Sequence, residues 1–251
     1  MIKASIITVC FNSARTILDC IESVNMQTYQ NIEHIFIDSA STDDTVNIIN
    51  QNSKKNCFIL SEEDKGIYEA MNKGVKIASG NIIGFLNSDD FYCSKNLIEV
   101  ISRYFEENDL DIVYGNIDYV KANKKFIRTF YSPNNFKDVL HGFQIPHPAL
   151  FIKSSYLKNL DNPFNQRFKI ASDFGQQIYL AHNFNLKTLR INESFVSMRI
   201  GGLSSGLRNR IIGWLETSKI FNQITKKKGF FFLIKKVSIN IFSRLKKNQN
   251  Y

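Results

Sequence analysis

Residues 79–90 read Ser-Gly-Asn-Ile-Ile-Gly-Phe-Leu-Asn-Ser-Asp-Asp: a turn, a short apolar run, then an amide, a hydroxyl and two carboxylates. The run Ile82–Leu86 is too short for a helix and lacks the alternation of a strand with one wet face. It fits a strand covered on both sides, as in a parallel sheet flanked by helices. The same shape recurs upstream. Ala4–Cys10 is a second such run, followed by a helical pattern from Ile17 to about Met26. Residues 33–38 form a strand ending on Asp38, and Ser-Thr-Asp-Asp (41–44) caps a helix to about Asn52, with acids in its first turn. Cys57–Leu60 is a strand and Ile67–Ala78 a helix, closed by Ser79-Gly80. Downstream of residue 90 come a helix over Leu97–Phe105 and a strand over Asp111–Tyr114. This alternation specifies an α/β chain with a Rossmann-like, mostly parallel sheet.

Beyond residue 115 the rhythm changes. Ile117–Val120 and Phe126–Tyr131 read as a hairpin, Phe136–Leu140 as a short helix and Ala149–Lys153 as a strand. Asp173–Ala181 is a helix, Thr188–Ile191 and Phe195–Arg199 are two strands, and a Gly-Gly-Leu-Ser-Ser-Gly loop (201–206) follows. The expected organisation is one domain over 1–210, with halves 1–115 and 116–210, and a basic helical tail over 211–251.

Of the 251 residues, 43% are hydrophobic and 22% charged, values that suit a buried core and exclude a disordered or collagen-like chain. The four cysteines form no CxxC pair, so zinc and dithiol redox chemistry are disfavoured. Net charge is +9, but residues 208–251 hold eleven Lys or Arg against the single acid Glu216, and the rest is nearly neutral. A basic tail on a neutral body argues against a nucleic-acid partner. No signal peptide pattern opens the sequence, and no apolar run reaches the ~18–20 residues of a membrane span. The expected location is cytoplasmic.

In an open α/β sheet, ligands bind beyond the carboxyl ends of the strands. Here those ends carry Thr8 to Asn12, Asp38 to Thr42, and Asn87 to Asp90. With no GxGxxG after the first strand and no GxxxxGK[ST], dinucleotide dehydrogenases and P-loop NTPases are disfavoured. Bunched carboxylates at a strand end suit Mg²⁺ or Mn²⁺, which takes one or two protein carboxylates and fills its shell with water and phosphate oxygens. Asp89 and Asp90 fit equally a cap for the helix beginning near Asn96.

Four blocks, Ser-Ile-Ile-Thr-Val-Cys-Phe-Asn (5–12), Ile-Asp-Ser-Ala-Ser-Thr-Asp-Asp-Thr (37–45), Glu-Asp-Lys-Gly-Ile-Tyr-Glu-Ala-Met-Asn-Lys-Gly (63–74) and residues 80–90, together resemble the family 2 glycosyltransferases. The likeness continues more loosely through Pro-His-Pro-Ala-Leu-Phe (146–151), Ala-Ser-Asp-Phe (171–174) and residues 201–204. It implies a GT-A fold with a nucleotide-binding half and an acceptor half. It also implies inverting transfer from a nucleotide-diphosphate sugar, UDP-linked as first choice, and a divalent metal, Mn or Mg. The acceptor would be a glycan or lipid-linked hydroxyl in bacterial cell-surface polysaccharide synthesis. The resemblance places Thr8, Val9 and Asn12 around the nucleoside and Asp38 on base or ribose. Asp64, Lys65, Gly66, Asn72 and Lys73 would close over base and phosphates. The family's DxD motif falls on Asn87-Ser88-Asp89, where an amide replaces the first carboxylate. Asp89 then becomes the metal ligand, with Asn87 and Ser88 on the donor and Asp90 a helper. Asp173 would be the catalytic base, its alternative role an N-cap for the helix that follows. His147 and Asp90 fall on the acceptor side. The rival within this reading is a catalytically silent sugar-nucleotide-binding scaffold.

Along 230–247, helical spacing puts Phe230, Leu233, Ile234, Val237, Ile241 and Leu245 on one face and Lys236, Asn240, Ser243, Arg244 and Lys247 on the other. Such a basic amphipathic helix lies in an anionic membrane surface without crossing it. The expected partner of 226–247 is the inner face of the cell membrane, with a packed or partner-binding helix as the alternative. Self-association into a homo-oligomer is compatible with this reading.

Overall fold

The computed structural model describes residues 1–54, 56–201 and 206–245. In chain order the elements are β1 Ala4–Cys10, α1 Ile17–Asn25, β2 Ile32–Asp38, α2 Thr45–Asn52, β3 Asn56–Ser61, α3 Ile67–Ile77 and β4 Ile82–Phe85. Then follow β5 Phe91–Tyr92, α4 Leu97–Asn108, β6 Ile112–Val120, β7 Phe126–Phe130, and two 3₁₀ turns, Phe136–His141 and His147–Ala149. The remainder is β8 Leu150–Lys153, α5 Ser154–Lys158, α6 Ser172–Asn183, β9 Thr188–Arg199, α7 Leu207–Thr225 and α8 Gly229–Leu245.

Among the described residues all strands join one sheet, in the order β3-β2-β1-β4-β8-β6-β9-β5, with β7 pairing the C-terminal part of β6, Ile117–Val120. β3, β2, β1 and β4 are mutually parallel, as the alternation requires. β8 enters antiparallel between β4 and β6, and β6 and β9 run parallel beyond it. Two pairs of short strands expected from the sequence are each a single long one. Asp111–Tyr114 and Ile117–Val120 fuse into β6, and Thr188–Ile191 and Phe195–Arg199 into β9. The residues that looked like breaks, Gly115-Asn116 and Asn192-Glu193-Ser194, absorb register shifts instead of turns. The acids of 41–44 also sit differently: Asp44 is the N-cap of α2, and Asp43 accepts from the Thr45 amide at 3.0 Å ahead of the first turn.

β1 is buried along nearly its whole length because each face meets a helix. Ile6 packs with Ile17, Cys20, Ile21 and Val24 of α1 on one side. Its neighbour Ile7 packs with Tyr68, Met71 and Val75 of α3 on the other. Gly74 permits that approach, since a Cβ there would lie 2.5 Å from Ile7 Cγ2. Each fully buried isoleucine contributes ~1.5–3 kcal/mol.

The C-terminal helices are built into this body. Glu216 of α7 accepts from the amides of Lys169, Ile170 and Ala171 at 2.8, 2.9 and 3.1 Å, just before α6. Phe232 of α8 stacks on Phe221 of α7 with ring centroids 3.9 Å apart. Lys236, expected on a wet polar face, is turned inward and is only 5% exposed. Phe230 and Ile234, on the apolar face, are 65% and 48% exposed, and Leu233 and Val237 of the same face are half-buried. Among the described side chains, α8 packs most closely through Phe232 and Lys236, one turn apart. No helix among the described residues is long and apolar enough to cross a membrane. Residues 202–205 of the loop and Lys246 and Lys247 of the tail lie outside the described residues, as do the side chains of Ile241, Arg244 and Leu245.

Candidate active site

The carboxyl ends of β1, β2 and β4 lie on one edge, with Cys10 opposite Asp38 and Ile7 opposite Phe85. Their loops are stitched together. Asn12, at φ 48°, donates its amide N–H to Ser41 Oγ at 2.8 Å and accepts from the Thr42 amide at 2.9 Å. The Ser13 and Ser88 hydroxyls are 2.9 Å apart, joining the first and fourth strand ends. Ser39 donates to Asp64 at 2.8 Å, drawing in the loop after β3.

The residues expected around a nucleotide are held by this stitching in different ways. Asp38 is wholly buried and accepts from the Ser41 amide at 2.9 Å and the Ser61 hydroxyl at 2.6 Å, closing its own turn. Thr8 points into the core, its hydroxyl 3.0 Å from His34 Nε2, while Val9 is half-buried beside the α3 cluster. Asp64 pairs with Lys73 Nζ at 2.5 Å, and Lys73 also reaches Glu62 at 2.7 Å. The Lys65 amide donates to Glu69, and Gly66, at φ 143°, is the N-cap of α3. The buried Asn72 amide clamps Phe164, donating to its carbonyl at 2.7 Å and accepting from its N–H at 3.0 Å.

The acidic cluster sits at the end of β4. Asn87 donates to Asp90 Oδ2 at 2.8 Å, and the Arg199 amide donates to Asp90 Oδ1 at 3.1 Å. The Arg199 guanidinium pairs with Asp19, bonds the Asp89 carbonyl and lies over the Phe91 ring. Neither aspartate caps α4, whose N-cap is Asn96. Burial raises both carboxyl pKa values, and for Asp90 the neighbouring Asp89 charge adds to it; Arg199 does not fully offset this. Such a pair is short of positive charge. Among the described residues, the Asp89 carboxylate accepts no hydrogen bond from another residue's side chain or backbone, which leaves it open to ligate. No cluster of three or more ligating side chains exists among the described residues. One free carboxylate with a second behind it fits a hard cation that completes its shell with diphosphate oxygens.

Asp173 stands in the first turn of α6 but does not cap it; the N-cap is Ala171, whose amide is taken by Glu216. Its carboxylate accepts instead from Tyr68 Oη of α3 at 3.2 Å. A ring cluster ties this region to the end of β4: His147 lies 4.6 Å from Phe85 and 5.5 Å from Phe164, and Phe164 faces Tyr68 at 6.3 Å. His147 is buried with neither ring nitrogen hydrogen-bonded, and burial lowers its pKa against the pull of Asp173. Two residues the motifs did not flag complete the surroundings: Tyr68 sits inside a quoted block without a distinguishing signal, and Lys236 comes from a helix whose pattern suggested the opposite orientation. Arg199, expected from the sequence to approach a diphosphate with the 201–206 loop, ends β9 and is engaged by Asp19 and the Asp89 carbonyl.

The family model named "Glycosyl transferase family 2" matches residues 5–167. The chain belongs to this family. A PGL/p-HBAD biosynthesis glycosyltransferase of Mycobacterium bovis is 30% identical over 206 residues, covering 80% of this chain and 78% of the relative. WfaP of Escherichia coli, a UDP-Glc:alpha-D-GlcNAc-diphosphoundecaprenol beta-1,3-glucosyltransferase, is 34% identical over 164 residues, 64% of each chain. Among solved structures, S. aureus TarS in complex with UDP-GlcNAc superposes with a TM-score of 0.70 at 18% identity. That match covers 87% of this chain but only 65% of TarS. The mannosyltransferase PcManGT of Pyrobaculum calidifontis, in complex with GDP-Man and Mn²⁺, gives 0.66 at 16% identity, over 90% of this chain and 65% of its own. The fold is GT-A, and this family 2 member is a glycosyltransferase of polysaccharide or glycolipid biosynthesis.

Proposed function

We propose that this glycosyltransferase moves one sugar from a UDP-linked donor to a hydroxyl of a lipid-linked glycan, with inversion at the anomeric carbon. The observation that carries this reading is the Asp173 carboxylate. It does not cap its own helix, accepts a hydrogen bond from Tyr68, and is tied through the His147 ring cluster to the strand end that bears Asp89. Asp173 takes the proton of the acceptor hydroxyl as that oxygen bonds to the anomeric carbon. The bond to the donor diphosphate breaks on the opposite face, which inverts the centre. Asp89 would hold Mn²⁺ or Mg²⁺, which when bound neutralises charge on the departing diphosphate. Asn87, held by Asp90, and Ser88, held by Ser13, would orient the donor. UDP is the first choice because the E. coli relative is named for a UDP-linked donor.

A lipid-linked acceptor agrees with the outer surface of α7 and α8. Leu207, Ile211 and Leu215 form an exposed stripe on α7, and Phe230, Phe231 and Ile234 are exposed on α8. Arg208, Lys226, Lys227, Lys228 and Lys235 flank them, also exposed. Apolar anchors ringed by cations suit an anionic leaflet, each cation near the surface contributing ~1 kcal/mol. We therefore place the enzyme peripherally on the inner face of the membrane, through 226–247.

Calorimetric titration of UDP with Mn²⁺, then with EDTA, tests the donor side. Binding that requires the metal is expected. Metal-dependent binding of GDP in place of UDP would reassign the nucleotide, and binding of neither would overturn the donor reading.

A further inference from the structure

Lys236 is a cation in an unusual place. It lies on α8, with its backbone seated against Gly142: a Cβ on that glycine, itself at φ 97°, would stand 2.9 Å from Lys236 Cα. From there the side chain runs inward, and its Nζ stops 3.5 Å from the centroid of the Phe174 ring, one residue from Asp173. Phe232, one turn earlier on α8, stacks on the same Phe174 ring with centroids 6.4 Å apart. Lys236 makes no ion pair with any described carboxylate, and the Asp173 charge is felt without being in contact. Burial drives the ammonium pKa down to about 7. Elsewhere around Asp173, both ring nitrogens of His147 are buried with no hydrogen-bond partner among the described residues, and its ring also feels the Asp173 charge. Unmatched buried polar groups are costly unless a ligand satisfies them.

A ligand anion is the natural match for a buried ammonium that rests on the face of the Phe174 ring and pairs with no described carboxylate, and phosphate could reach it from two sources. Phospholipid headgroups would meet the outward side of α8, where Phe230, Phe231, Ile234 and Lys235 are exposed. Lys236 points the other way, so only a molecule that enters the site reaches it. We propose that Lys236 contacts a phosphate carried by the acceptor, on the far side of the sugar whose hydroxyl Asp173 deprotonates, and thereby selects phosphate-linked acceptors over neutral ones. This rests on the reading of Asp173 as the base. It makes Lys236 a specificity-determining residue, contributed by the helix that faces the membrane.

The test is calorimetry with the full chain, using N-acetylglucosamine joined through a diphosphate to a short alkyl chain, and the matched neutral octyl glycoside. Lys236→Met should weaken the diphosphate probe at least tenfold, while the affinities for the octyl glycoside and for UDP with Mn²⁺ stay within twofold. Lys236→Arg should restore most of the loss. Equal weakening of both probes, or none, overturns the proposal. So does loss of binding to phosphatidylglycerol vesicles in Lys236→Met, which would reassign the cation to headgroups. In the wild-type protein, which avoids any folding defect of the variant, saturating diphosphate probe should slow acetylation of Lys236, read by peptide mass spectrometry. An unchanged rate overturns it as well. UDP binding is scored separately: a protein that binds UDP but not the diphosphate probe keeps the donor reading and loses this one.

Discussion

In the proposed mechanism Asp173 and Asp89 carry different tasks, so their substitutions should separate. Asp173→Asn keeps the shape and the Tyr68 contact but removes the proton acceptor. Transfer should fall about 10²–10⁴-fold, the range that general-base catalysis supplies, with UDP affinity nearly unchanged. Radiolabelled sugar transfer and calorimetry check the two halves, and full turnover by that variant would remove Asp173 as the base. Asp89→Ala should instead abolish the dependence of donor binding on Mn²⁺, and unchanged metal dependence would place the cation elsewhere. At this scale the sequence was informative wherever a motif was local. Asp89 and Asp173 could be singled out from their neighbours, but the tasks of Asn72 and Thr8 could not. Asn72 clamps Phe164, 92 residues away, and Thr8 meets His34 across a strand pair; neither partner is visible from spacing.

Elements tell a similar story. Periodicity located β1, β2, β4 and the helices between them because each is buried by its immediate successors. It divided β6 and β9, since polar residues at a bulge look like a turn, and it carries no sign of strand direction, so the antiparallel β8 went unread. Helix α8 shows the limit most clearly: Lys236, read as part of a wet polar face, is buried, while Phe230 and Ile234 face outward. Connections between elements also set the stability of the site. Asn72→Ala would strand a buried N–H and C=O of Phe164 and should destabilise the fold by about 3 kcal/mol, at ~1–3 kcal/mol per unsatisfied group. Glu216→Ala should cost a similar amount by freeing three amides before α6. Urea unfolding of each variant measures both, and losses below about 1 kcal/mol would show that water replaces these bonds readily.

The molecule as a whole should be sensitive to acid. His34 is completely buried against Thr8, and burial lowers its pKa to about 3, so it folds in the neutral form. The unfolded chain takes up that proton from about pH 6.5 downward, and stability is lost as pH falls from there toward 3. Glu33 acts in the same sense. Although burial opposes ionisation, hydrogen bonds from Lys3, Ser5 and Ser79 prevail and hold its pKa at about 2, so its contribution is present above pH 4.5 and lost toward 2. His34 and Glu33 therefore pull unfolding midpoints down as pH falls below 6.5, against the opposite contribution of the raised Asp89 and Asp90 carboxyls, and His34→Gln should remove the His34 share of the slope between 6.5 and 4.5. A slope unchanged by that substitution would show that other groups govern the acid limb. There is also a matter of timing. Glu216 and Lys236 follow every family motif in the chain, yet they close around the segment that holds Asp173. During synthesis, a ribosome that has released all four motif blocks still withholds both residues. The strands and helices of the first half can therefore pair early, but the surroundings of Asp173 are completed only when α7 and α8 emerge.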